Sequence, residues 1–243
     1  MDLVYYGDIK NTQKMLESGF NPNINYNGRI SLIEAIRTYE GIEMLKLLIE
    51  SGADPNMSDG LYTPLHICCR RGYTKSVEYL LNAGANPNVS DNNGYTPLIS
   101  ASLYGYDNRF NDIIELLLNA GANINSTNNR HETALICSVH SCNLEITKIL
   151  INHGPKPFIK NNYGENIQQI ARKKNNKLMI KMIEEYMMLF KMVRRCQKFI
   201  KYKKNKKILA YKNLAMCKLF EMYNMDEPLC RHMRKSNILS VYG

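Results

Sequence analysis

The chain has 243 residues, 44% of them hydrophobic, and a formal net charge of +10; no run approaches the roughly 20 consecutive apolar residues that a membrane-spanning helix needs. The charge is split, because residues 1–163 hold 13 Lys+Arg against 16 Asp+Glu while residues 164–243 hold 19 against 6, so a front of −3 precedes a tail of +13. Seven cysteines in no paired framework, together with a polar Met1–Phe20 segment lacking a secretory pattern, argue against a disulfide scaffold and for an intracellular, reducing compartment, cytoplasm or nucleus.

Along the chain one pattern recurs. Ile30-Ser31-Leu32, Thr63-Pro64-Leu65, Thr96-Pro97-Leu98, Thr133-Ala134-Leu135 and the decayed Asn166-Ile167-Gln168 begin units spaced 33, 33, 37 and 33 residues apart. A second series runs in phase through Gly19, Gly52, Gly84, Gly121 and Gly154. A sustained period near 33 predicts a stack of repeats without a central core, each unit burying its apolar face on its neighbours.

The first unit, near 1–27, keeps only Gly7, Met15, Leu16 and Gly19 of the pattern and reads as an N-terminal cap. After a unit near 28–59, the clearest one spans 60–93. There Thr63-Pro64 opens a helix through Leu65-His66-Ile67-Cys68-Cys69, with the Thr hydroxyl suited to the orphan amides and Pro tolerated in the first turn. Gly72 ends that helix; a second carries Val77, Tyr79, Leu80 and Leu81 to a left-handed stop at Gly84. Asn86 to Gly94 then concentrates turn formers. The fourth unit, near 94–130, holds four extra residues between its helices, within Tyr104-Gly105-Tyr106-Asp107-Asn108-Arg109-Phe110-Asn111. The fifth, near 131–163, has His131 where the finger expects Gly and Cys142-Asn143 at its mid-unit turn, so both places are less securely defined. The sixth, near 164–187, ends in Lys-rich helix, as terminal units do when one face meets water.

Thr-Pro-Leu-His opening an inner helix, a central Gly, paired Leu on the outer helix and Gly-Ala-x-x-Asn leading into a finger resemble the ankyrin repeat, over roughly residues 1–187. The resemblance implies an all-α repeat solenoid of helix-turn-helix units with β-hairpin fingers, followed by a basic helical extension, 188–243. The Asn- and Lys-rich style is similar to ankyrin proteins of large DNA viruses, poxviruses and giant viruses among them. The F-box-like C-terminal helix of poxvirus members is not found, although a substrate adaptor of a ubiquitin ligase stays open as a function.

No phosphate-binding glycine loop, nucleophile elbow, His-Glu-x-x-His or kinase signature appears, and the reading is non-enzymatic, with no cofactor and no metal. Cys137, His140 and Cys142 lack the second ligand pair that tetrahedral zinc requires. His66, by the resemblance, is a structural group bonded to neighbouring backbone. The resemblance also places a protein partner on the concave surface of finger tips and inner helices, here Tyr62, Arg70, Arg71, Tyr95, Leu103, Tyr104, Glu132 and His140. Arg109 and Phe110 of the insertion join them as interface-prone types, against drift in a tolerant loop. Asn56, Asn88 and Asn125 occupy the finger position on which asparaginyl hydroxylases act in this family.

From Leu178 to about Met222 the tail reads as a long amphipathic basic helix. Cys196 to Lys206 resembles an IQ motif, a calmodulin- or light-chain-binding helix, with Lys201 replacing Arg and Tyr202 replacing Gly. Arg194 and Arg195 with Lys201, Lys203, Lys204, Lys206 and Lys207 also fit a nuclear address or a salt-dependent contact to phosphates. The bland alternative is a helical cap whose lysines form the solvated face.

Overall fold

The computed structural model describes residues 4, 7–26, 29–38 and 42–202. Among the described residues these elements follow in order: α1 (Ile9–Glu17), β1 (Asn25–Tyr26), β2 (Arg29–Ile30), α2 (Ser31–Thr38), α3 (Ile42–Glu50), α4 (Pro64–Arg71), α5 (Thr74–Asn82), α6 (Pro97–Tyr104), α7 (Arg109–Asn119), α8 (Ala134–His140), α9 (Leu144–Asn152), α10 (Ile167–Lys174) and α11 (Lys177–Tyr202). Inner helices α2, α4, α6, α8 and α10 pack side by side in that order; outer helices α1, α3, α5, α7, α9 and α11 do the same behind them. The result is two parallel layers of helices. α1 lies in the outer row, packed against α3.

Two inner helices, α6 and α8, start the same way. Thr96 and Thr133 accept through Oγ1 the amide protons of Ile99 and Ile136, both at 3.3 Å. In the last unit Asn166 takes over this duty. Its Oδ1 accepts from Gln168 and Gln169 while Gln169 Oε1 accepts from the Asn166 amide, a reciprocal capping box. The decayed motif therefore keeps its helix start by a different side chain.

The core runs as a ribbon between the layers. Leu65, Leu98, Leu135 and Ile167 recur on the inner row, and Leu48, Leu80, Leu117 and Leu150 on the outer row, all at most 1% exposed. Burial of such a side chain stabilises by about 1.5–3 kcal/mol, so each interface between units contributes a similar increment.

The fingers are built less by strand pairing than by side chains. The first is a regular hairpin, with Asn25 opposite Ile30 and Tyr26 opposite Arg29, and the fifth unit has a single bridge between Thr127 and Thr133. Elsewhere among the described residues a carboxylate or amide closes the loop. Asp59 Oδ1 accepts from Leu61 and Tyr62, Asp91 Oδ1 from Asn93 and Tyr95, Asn128 Oδ1 from Arg130 and Glu132, and Asn161 Oδ1 from Tyr163 and Glu165. Local side-chain acceptors satisfy the amides that a strand ladder would otherwise use.

Asparagines also tie successive fingers together. Nδ2 of Asn23, Asn56 and Asn88 donates to the carbonyls of Gly52, Gly84 and Gly121, and their Oδ1 atoms accept the amides of Asp54, Asn86 and Asn123. At the tips, Asn92, Asn129 and Asn162 donate to the carbonyls of Gly60, Asn92 and Asn129. The asparagine-rich composition thus has a structural use, because each such residue bonds backbone that a neighbouring unit would leave unpaired.

Three of the mid-unit turns use a left-handed residue, whereas Gly105 in the lengthened fourth unit has φ −66°. Gly72 has φ +74°, and Cys142 and Asn175 adopt φ +56° and +53° at the corresponding turns. The fifth unit's finger likewise places His131 at φ +56° where the fourth has Gly94 at +76°. Both irregular positions of unit five therefore take the ordinary geometry, with a residue that adopts it at a cost.

Candidate protein-binding face

The inner helices and the fingers meet along one face, and one recess there has a volume of about 230 Å³. Tyr62, Arg70, Tyr95 and Tyr104 line it, together with His66, Asp91, Asn93, Ser100, Asn129 and Arg130. Four of the sequence-derived partner residues thus come together. Arg70, on the last turn of α4, has its guanidinium carbon 4.7 Å from the Tyr104 ring centre and 5.8 Å from that of Tyr62, and its Nη1 donates to the Tyr62 hydroxyl at 3.3 Å. Tyr104 is 40% exposed.

His66 forms the floor. The Tyr95 carbonyl can only accept, so Nε2, 2.9 Å away, carries the proton, and Nδ1 accepts from the Thr63 amide at 3.4 Å and hydroxyl at 2.8 Å. The ring links its own helix start to the next finger. Burial holds its pKa below the ordinary value of 6.5, while the Tyr95 carbonyl and the Asp91 charge act in the opposite sense. Burial likewise raises the Tyr95 phenol, which stays a neutral group.

Other sequence-derived positions take scaffold roles. Phe110 is corrected outright: it is fully buried, packed beside Gly72 of the preceding unit, and offers no surface to a partner. The insertion lengthens both turn and helix rather than forming a free loop. Two residues, Gly72 and Tyr73, separate α4 from α5 and four, Gly105 to Asn108, separate α6 from α7; α7 has 11 residues where α5 has 9. The two residues added to α7 are what carries Phe110 into the core. Arg109 is engaged by Asp107, its Nε and Nη2 donating to Oδ2 at 3.1 and 2.8 Å, which together with burial of Phe110 fastens the start of α7.

Glu132 is also corrected, being buried at the finger base. It accepts from Asn128 Nδ2 at 3.0 Å, and His140 Nε2 lies 3.4 Å from it. The His140 contact first, and the Asn128 amide after it, hold the Glu132 carboxyl below the usual range against the cost of burial. Arg71 donates from Nη1 to the carbonyls of Ile36 and Arg37, closing the C-terminal end of α2. Leu103 is half-buried against the core.

Arg130 and Asp91 were missing from the sequence reading. Their signal was register: Arg130 stands two residues before Glu132, at the tip position that Asn93 holds before Tyr95, where side chains of consecutive fingers converge on the inner helices.

Asn56 and Asn88 have both ends of their amides bonded within the finger ladder, and Asn125 Oδ1 accepts from the Lys156 amide. Arg194 and Arg195 are exposed near the far end of α11, and the Lys201 backbone is helical. Lys203, Lys204, Lys206 and Lys207 lie outside the described residues, as does the end of the IQ-like segment. No group of three or more His, Cys, Asp or Glu side chains converges among the described residues.

Paired helices stacked in two layers, joined by fingers and presenting a polar-aromatic face, define a repeat scaffold. The profile of the family described as Ankyrin repeats (3 copies) matches residues 32–128 and 107–188, more than half of the chain, and the chain belongs to this family. A human protein phosphatase 1 regulatory subunit 27 is 33% identical over 97 residues, 40% of this chain and 60% of that protein. An ankyrin repeat protein of Rickettsia bellii is 33% identical over 100 residues, 41% of this chain and 38% of its own length. One from fowlpox virus is 37% identical over 60 residues, 24% of this chain and 8% of that protein. Each of these alignments spans less than two thirds of the relative. Ankyrin repeats are protein-binding scaffolds, and among the described residues no helix is long and apolar enough to cross a membrane.

Proposed function

We propose that the chain is a non-enzymatic scaffold that holds a partner protein on the face formed by its fingers and inner helices, inside the cytoplasm or nucleus of a cell. The observation that carries this is the half-buried Tyr62 and the exposed Arg70 and Tyr104 side chains gathered around one recess, types that dominate interface energetics when clustered. The recess is smaller than the roughly 300 Å³ at which small-molecule sites begin. The human relative's name, a phosphatase regulatory subunit, supports a partner-binding rather than catalytic role. The fowlpox relative, an ankyrin repeat protein, supports reading the chain as a viral scaffold, and we take its partner to be a host protein. Buried free thiols at Cys68, Cys69 and Cys137 suit a reducing compartment.

The test is affinity capture with the full chain from animal cells, comparing the natural sequence, a Tyr62→Ala/Tyr104→Ala variant and a Glu78→Ala variant on the exposed side of α5. A partner retained by the first and third and lost by the second supports the reading; equal retention by all three removes it. A basic-helix function is the alternative, favoured by the exposed Arg194 and Arg195. Capture that depends on those arginines and collapses in high salt would assign function to the tail instead.

A further inference from the structure

The recess has an electrostatic asymmetry that bears on what enters it. Arg70 is stacked between two tyrosines and uses one N–H on the Tyr62 hydroxyl, which leaves most of its fork unassigned. Arg130 is held by its backbone, the amide donating to Asn128 Oδ1 at 2.9 Å and the carbonyl accepting from the Asn162 amide at 2.9 Å, so its side chain lines the recess from a fixed point on the finger. Among the described residues neither guanidinium has a carboxylate within 4.0 Å, whereas Arg37, Arg109 and Arg172 each do. The third charged wall group, Asp91, has its Oδ1 occupied by the Asn93 and Tyr95 amides, both at 2.8 Å. Two guanidiniums and one carboxylate leave a single positive charge, since burial keeps His66 neutral near pH 7.

Resting on the reading of this face as the partner surface, we propose that the recess receives one carboxylate side chain of a partner peptide, an Asp or Glu, whose neighbours lie across the rings of Tyr62 and Tyr104. Arg70 and Arg130 donate to the carboxylate, in hydrogen bonds that ionisation of both partners strengthens. The volume of about 230 Å³ admits one such side chain and not a folded element. Asp91 disfavours a dianion, which separates a carboxylate from a phosphate group.

The experiment pans a random 12-residue peptide display library on the full chain. An enriched peptide is then titrated against the natural protein and against Arg70→Gln, Arg130→Gln and Tyr62→Ala/Tyr104→Ala variants, each checked to melt as the natural protein does. The expected result is an enriched acidic residue and a loss of affinity of about tenfold or more in either arginine variant. Glu→Gln in the peptide costs the same, and the two losses do not add when combined. Peptides that bind without an acidic residue, insensitive to both arginine variants yet lost in the tyrosine variant, overturn the carboxylate assignment and leave the face intact. Phosphoserine in place of the acid binding more than tenfold tighter overturns the single-charge assignment. Peptides indifferent to all variants, or no enrichment, sink both this proposal and the reading on which it rests.

Discussion

His66 accepts from the Thr63 amide and hydroxyl through Nδ1, and protonation there would replace an acceptor with a donor facing donors. Its pKa is depressed in the fold, chiefly by burial, so as pH falls through about 6.5 the unfolded chain takes up the proton first. The stability associated with this neutral ring is fully present above that range and is lost progressively below it. Urea unfolding at pH 7.5 and 5.5 should show a lower midpoint in acid for the natural protein; His66→Gln should be less stable at pH 7.5 and show a smaller pH difference. An unchanged pH difference in the variant would show that other groups set it. A second residue-scale case is Cys142, left-handed without being glycine. Relief of about 1–2 kcal/mol of backbone strain, less about 0.5–1 kcal/mol for the freer unfolded glycine, predicts that Cys142→Gly stabilises by a few tenths to about 1 kcal/mol in chemical denaturation.

Among the outer helices α1 to α9, α7 differs most from its counterparts, and the difference is Phe110. Its ring passes beside Gly72, where a Cβ would lie 3.0 Å from it, and Gly105 passes so close to Ile146 that a Cβ there would lie 2.4 Å away. The four added residues therefore knit three units together. Phe110→Ala should cost about 3–5 kcal/mol, whereas Tyr106→Ala, which removes a ring 75% exposed and stacked 5.3 Å from Phe110, should cost at most about 1 kcal/mol. Comparable losses in the two variants would mean that the insertion is held from its surface rather than from its core. The residue types of the insertion suggested an interface, but composition could not distinguish a phenylalanine facing a partner from one filling a gap left by a neighbouring glycine. That depends on helix phase, which the two residues added to α7 reset.

Across the whole molecule, stability accumulates unit by unit, and the C-terminal end is closed by α11. At 26 residues it is about 39 Å long, while the other outer helices have 9 to 11 residues. Met179, Ile183, Tyr186 and Met187 are buried against the last units, and Phe190 stacks edge-on to Phe158 and Tyr186. The helix is continuous across residues 187 and 188, so the basic extension begins inside an element anchored to the repeats. Ile183→Asp, placing a carboxylate in this apolar seam, should release α9, α10 and α11 first. Amide hydrogen exchange should show protection lost there and retained in α4 to α7. Uniform loss through all units would contradict the unit-wise picture.

The sequence by itself determined the period, the helix pairs and the order of the stack, because capping residues, left-handed turns and apolar spacing act over a few residues and repeat every unit. The family resemblance carried by its motifs also placed Tyr62, Arg70, Tyr95 and Tyr104 on one face. Only the tertiary structure decided that Glu132, Arg71 and Phe110 serve the scaffold and that Arg130 and Asp91 join the recess. For Arg71 and Phe110 the outcome depends on side chains and backbone of different units that meet across more than 30 residues of chain, and for Glu132 on how the finger base folds against α8, so burial and hydrogen-bond partners are settled by packing rather than by local pattern.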